Sequence, residues 1–125
     1  MKSRLGESRR DERGQAIAEL VLVVGIMLVL ALSLFDLGRA AFAYVAIISG
    51  ARDGARVAMD TAATDTDVRN AALSAAAPYV PSVAITRTAT GATVVLTYQY
   101  QPISPFLQLI GQNGSLQLSA RMVSQ

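Results

Sequence analysis

The chain has 125 residues, a formal net charge of +2, a hydrophobic fraction of 52%, and neither cysteine nor histidine. Disulfides, thiolate zinc sites, thiol nucleophiles and histidine bases are thereby excluded, and the length leaves room for one modest globular domain beside any other segment. The basic excess is local: Lys2, Arg4, Arg9, Arg10 and Arg13 outnumber Glu7, Asp11 and Glu12, whereas from residue 15 onward Arg39, Arg52, Arg56, Arg69, Arg87 and Arg121 are cancelled by Glu19, Asp36, Asp53, Asp60, Asp65 and Asp67. No basic surface remains for a nucleic-acid partner, and none is expected.

Residues 1–14 form a polar, basic leader ending in Arg13-Gly14, and the chain is then apolar to Phe35 with Glu19 as its single charge. At 1.5 Å per residue, residues 16–35 reach about 30 Å, the thickness of a hydrocarbon core, so a transmembrane helix is predicted. The uncharged part, residues 20–35, reaches only about 24 Å, which makes the span marginal and easily extracted. Excess Lys and Arg beside a span favours the cytoplasmic side, giving a single pass through the cytoplasmic (inner) membrane with the amino terminus inside and the rest outside. A signal peptide fits less well. Its apolar region runs about 7 to 15 residues, and here Asp36 and Arg39 precede the first small-residue site at Ala41-Phe42-Ala43. A buried core helix would need more cover than the remaining chain provides.

Glu19 within the span costs roughly 2.5 to 3.5 kcal/mol, so a compensating partner is expected. Cleavage after Gly14 would create a free amine at Gln15, about one helical turn away, able to pair with Glu19 within the chain or across to a neighbour.

Beyond the span, the absence of proline and the many alanines predict one helix from residue 15 to about 59. Ala46, Gly50, Gly54 and Ala58 recur at a spacing of four, a small-residue stripe suited to close approach of helices. Arg52, Asp53 and Arg56, with Asp60, lie on another face. They read either as a solvated surface with ordinary ion pairs or as charges that set the register between neighbouring helices.

Residues 61–67 are polar and mark a turn, and Thr64 with Asp67 resembles a capping box for a helix from 65 to about 77, ended by Pro78 and Pro81. A strand is predicted over 83–90, a turn at Thr90-Gly91-Ala92, and an antiparallel partner over 93–101 with Val94, Leu96, Tyr98 and Tyr100 on one face. After Pro102-Ile103-Ser104-Pro105 a helical turn or two is expected over 106–110. A loop over 111–114 and a closing strand over 116–123 follow, the strand with Leu116, Leu118, Ala120 and Met122 on one face. The expected fold is α+β: a leader (1–14), a long helix (15–60), and a small domain (61–125) with a short helix and about three antiparallel strands, dependent on the long helix for cover.

Asp60, Asp65 and Asp67 lack the glycine and terminal glutamate of a calcium loop, and helix capping accounts for them better. The glycines at 50 and 54 follow no strand and have no phosphate-loop lysine, and no base activates the serines or threonines. Tyr98 and Tyr100 read as core. No enzyme, metal site or cofactor is expected.

Three blocks in order, Arg13-Gly14-Gln15-Ala16-Ile17-Ala18-Glu19-Leu20, Phe35-Asp36-Leu37-Gly38-Arg39-Ala40 and Ala51-Arg52-Asp53-Gly54-Ala55-Arg56-Val57-Ala58, resemble type IV pilin-type subunits, and more narrowly the TadE-like family of the tight adherence (Flp) pilus system. Residues 98–105 and 118–122 share the resemblance. It implies cleavage by a prepilin peptidase between Gly14 and Gln15, Glu19 as an assembly residue at mature position five, and incorporation by a membrane platform and cytoplasmic ATPase into a filament at the cell surface that supports adhesion or secretion. Leu20 stands where major Flp pilins usually carry tyrosine, and those pilins lack a β-domain, so a minor pilin or pseudopilin role is implied. The alternative is an uncleaved, single-span anchor displaying its domain to a partner.

Overall fold

The computed structural model describes residues 4–110 and 114–124, with side chains from Arg13 onward within those ranges. The element order is α1 (Arg4–Ala58), α2 (Asp65–Ala76), β1 (Ser82–Thr88), β2 (Gly91–Tyr100), α3 (Pro105–Ile110) and β3 (Leu116–Ser124). This is the expected α+β fold. Two boundaries differ. The turn expected at Thr90-Gly91-Ala92 falls at Ala89-Thr90, because Gly91 and Ala92 already pair with Thr88 and Arg87. The helix does not begin at residue 15 but at Arg4, because the leader is rich in arginine and glutamate, good helix formers, and Gly14 alone does not stop a helix supported on both sides.

α1 has 55 residues, so it extends about 82 Å. Its two halves differ in character. Every described side chain from Arg13 to Leu32 is exposed, apolar ones included. Asp36 is the first fully buried residue, and burial then recurs at Ala40, Ala43, Ile47, Gly50, Ala51, Gly54, Ala55 and Ala58. Steps alternating between four and three keep this seam on one face, since a period near 3.5 tracks a packed partner. An unbroken spacing of four rotates away from it, which is why Ala46 lies half-buried at the edge.

The sheet is antiparallel in the order β1-β2-β3. Its register aligns inward residues in rows: Val83, Leu96 and Ala120, then Ile85, Val94 and Met122. One face is covered by α1 and α2 together, joining Ile47, Ala51, Ala55, Val68, Ala72, Ala76, Val94 and Leu96 in one core. The small domain thus has no complete core of its own. The long helix supplies one wall of it.

α2 starts at the predicted capping box: Thr64 Oγ1 accepts from the Asp67 N–H, and Asp67 Oδ2 accepts from the Thr64 N–H. The other acidic residues are likewise used locally. Asp60 accepts from the Ala62 N–H, and Asp65 accepts from Arg87 Nε at 2.8 Å while Arg87 Nη2 donates to Ala63 O, tying β1 to the turn after α1.

β2 runs alongside α1 in the opposite direction. Val94 lies against Gly54, Leu96 against Gly50, and Tyr100 reaches Asp36. The β1–β2 turn therefore lies at the end of the domain farthest from the apolar half of α1. The β2–β3 connection, which carries α3, lies at the nearest end.

Candidate functional site

The amino-terminal half of α1 carries the predicted processing and assembly residues. Gly14, Gln15 and Glu19 are all exposed, and a Cβ added at Gly14 would meet nothing within 4 Å. No described part of the chain folds back onto this segment. It is the one helix among the described residues long and apolar enough to cross a membrane, with a mean hydropathy of 2.8 in its most apolar window.

The predicted packing stripe has a different address from the one the sequence suggests. Gly50 and Gly54 do permit close approach, but of the chain's own α2 and β2 and not of a neighbouring subunit's helix. A Cβ at Gly50 would stand 2.6 Å from Ala72 O and 2.8 Å from Leu96 Cδ2, and Ala58 belongs to the same core. Gly50, Gly54 and Ala58 are therefore taken up in docking the domain, and Ala46 stays half-buried at its edge. What remains outward on this stretch is the charged face: Arg52, Asp53 and Arg56 are exposed, and among the described residues none of them forms an ion pair, so the pairs expected between Asp53, Arg56 and Asp60 are not made. If these charges set the register between subunits, Arg56→Glu lowers recovery of assembled filaments several-fold without altering the thermal unfolding of the domain. Unchanged recovery leaves them as a solvated surface.

Where the exposed and packed halves of α1 meet, a clasp forms that the sequence pattern does not reveal. The Asp36 side chain is fully buried. Its Oδ2 accepts from the backbone N–H groups of Ile103 at 2.7 Å and Ser104 at 2.5 Å, and its Oδ1 accepts from the Tyr100 hydroxyl at 3.2 Å. Tyr100 also donates to Asp36 O, and Arg39 stands 3.6 Å from Oδ1 with its guanidinium over the rings of Tyr100 and Phe35. Burial pushes the Asp36 carboxyl up, but the hydrogen bonds from Ser104, Ile103 and Tyr100 together outweigh it and hold the group below its ordinary value of 3.8. Burial, and after it the Asp36 charge, push the Tyr100 hydroxyl above 10.0.

Asp36 with Arg39 at i+3 reads in a sequence as an ordinary surface pair on a helix. The residues that give it another meaning lie more than sixty positions later, which no local spacing conveys. A proline-flanked Ile103-Ser104 immediately after a strand was the one available signal, since Pro102 and Pro105 offer no N–H and leave the two amides between them to find an acceptor.

A helix of membrane-spanning length with a small α+β head clasped to its far half defines a helix-and-head class of protein with one exposed apolar stem. Residues 14–56 match the family model described as TadE-like protein, the family that the sequence motifs resemble. The match begins at Gly14 and takes in Glu19, Asp36, Arg39 and Arg56, all on α1, while the head lies outside it. No curated protein and no solved structure matches the chain.

Proposed function

We propose that this chain is a structural subunit, a minor pilin or pseudopilin, of a tight adherence type IV-like pilus. It is held in the cytoplasmic membrane by residues 16–35 with its head outside, cleaved by a prepilin peptidase between Gly14 and Gln15, and then assembled with other pilin subunits by the platform and its ATPase. One observation carries the reading: the stem bearing Gly14, Gln15 and Glu19 is exposed and apolar all round, while the upper half of the same helix packs one face against its own head. An exposed apolar stem needs lipid or other stems. Glu19, with no partner among the described residues of its own head, then meets the new amine of Gln15 on the same or an adjacent subunit, and the pair favours one axial register because an unpaired buried charge is costly.

The intact mass of the protein purified from membranes tests the cleavage: the mature chain starts at Gln15, and an intact Met1 overturns the processing step. The unbroken helix through Gly14-Gln15 favours the second reading, an uncleaved anchor for an interacting head, because a peptidase must open the helix there. Gly14 eases that opening by roughly 0.5 to 1 kcal/mol. Under the pilin reading Glu19→Ala leaves the protein in the membrane but lowers its recovery in sheared filaments by more than about tenfold, the equivalent of 1.4 kcal/mol. Normal recovery refutes the role of Glu19.

A further inference from the structure

We propose that α3 with the preceding Ile103 is a membrane-surface foot, seated in the interfacial layer of the same bilayer that α1 crosses. The proposal rests on reading residues 16–35 as a span. Its starting observation is an apolar surface left uncovered by the described residues: Ile103 is 58%, Phe106 55%, Leu109 85% and Ile110 63% exposed, and α3 buries none of its residues. α3 contains no charged residue, and its single amide side chain, on the exposed Gln108, is occupied within the chain, Nε2 donating to Pro102 O at 3.0 Å. The rest of the outer surface is hydrocarbon.

The occupant follows from position. Ile103 and Ser104 are tied through their N–H groups to Asp36, the residue directly after the span, and α3 begins at the next residue, Pro105. Six residues of helix extend only about 9 Å, comparable to the roughly 5 to 8 Å interfacial layer that lies outside the hydrocarbon core on each side. α3 therefore cannot leave the vicinity of the bilayer surface while the clasp is closed. Arg39, beside the 62%-exposed Phe35 at the same level of α1, is a residue type that favours this layer.

The chain contains no tryptophan, so single tryptophans report position without background. Leu109→Trp probes the foot, Leu28→Trp the span, and Val123→Trp the exposed outer face of β3 at the far end of the domain. Each full-length variant is reconstituted in phosphatidylcholine vesicles whose acyl chains carry bromine either near the headgroup or near the bilayer centre. The expected result is strong quenching of Leu28→Trp, chiefly by central bromine. Leu109→Trp loses an intermediate fraction of its emission, more to headgroup-side bromine than to central bromine, and Val123→Trp loses none. Quenching at 28 with none at 109 overturns the foot and leaves the span standing; no quenching at 28 overturns both. A blue shift at 109 that grows with protein-to-lipid ratio, without quenching, assigns the surface to a second copy of the chain and also overturns the proposal.

Discussion

Asp36→Ala is expected to lower the stability of the domain by about 2 kcal/mol or more, because it strands the backbone N–H groups of Ile103 and Ser104, while the Tyr100 hydroxyl keeps the carbonyl of residue 36 as its acceptor. Each buried donor left without an acceptor costs roughly 1 to 3 kcal/mol, and the Ile103 amide sits nearest the low end because its residue is exposed and can draw in water. Small domains hold only about 5 to 15 kcal/mol in all, so this is a large share. Amide exchange of the full-length protein in micelles checks it, with Ile103 and Ser104 losing protection before the strands do. Asp36→Asn keeps one acceptor oxygen for the two amides but forfeits the attraction to Arg39, and is expected to cost about half as much. Equal protection in wild type and Asp36→Ala would show that the clasp contributes nothing.

The same carboxylate gives the domain an acid sensitivity of defined sign. Its folded value lies below 3.8, so its contribution is fully present above that pH and is lost as pH falls through the depressed folded value. Asp67, lowered by its bonds to Thr64, acts in the same window at the start of α2. Asp36→Asn therefore removes the acid sensitivity of the clasp and leaves that of the α2 cap, which a comparison of stability at neutral and acidic pH separates.

The second large effect is expected at Gly50. In an isolated helix Gly→Ala is favourable by roughly 1 kcal/mol, and Gly38, where an added Cβ meets nothing within 4 Å, should realise part of that gain. Gly50→Ala should do the reverse. Its Cβ would press on Ala72 O at 2.6 Å, and a backbone oxygen inside a packed helix cannot turn aside as a side chain can. Overpacking of this kind costs about 1 to 3 kcal/mol, which exceeds the propensity gain, and the displacement separates α2 from α1. Gly54→Ala, with contacts of 3.0 Å and more to side chains, falls between the two. Chemical denaturation of the three variants in micelles should rank them Gly38→Ala, Gly54→Ala, Gly50→Ala from most to least stable; Gly50→Ala matching wild type would mean that α2 is free to shift.

Much of the architecture was legible because it depends on local periodicity. The alternation in residues 94–100 fixed which face of β2 is inward, Thr64 and Asp67 marked the start of α2, and the apolar run after Gly14 marked the stem. The small-residue stripe was legible as a device for close approach but not for its partner. A sequence lists which side chains are small; it does not say whether the surface that fills the gap belongs to the same chain or another.

Sequence alone thus determined the local properties of this protein: a basic amino-terminal segment, a stem of membrane-spanning length with one carboxylate in it, and a head of alternating strands. Tertiary structure decided how those parts are joined. It gave Gly50 and Gly54 to the chain's own α2 and β2, turned Asp36 from a surface charge into the acceptor that fixes the head at the top of the stem, and thereby brought α3 to the level where the apolar run ends. The physical reason is separation along the chain. Hydrogen bonds between residue 36 and residues 100–104, and a backbone oxygen at 72 against a glycine at 50, depend on folded distances that no spacing of three or four residues encodes.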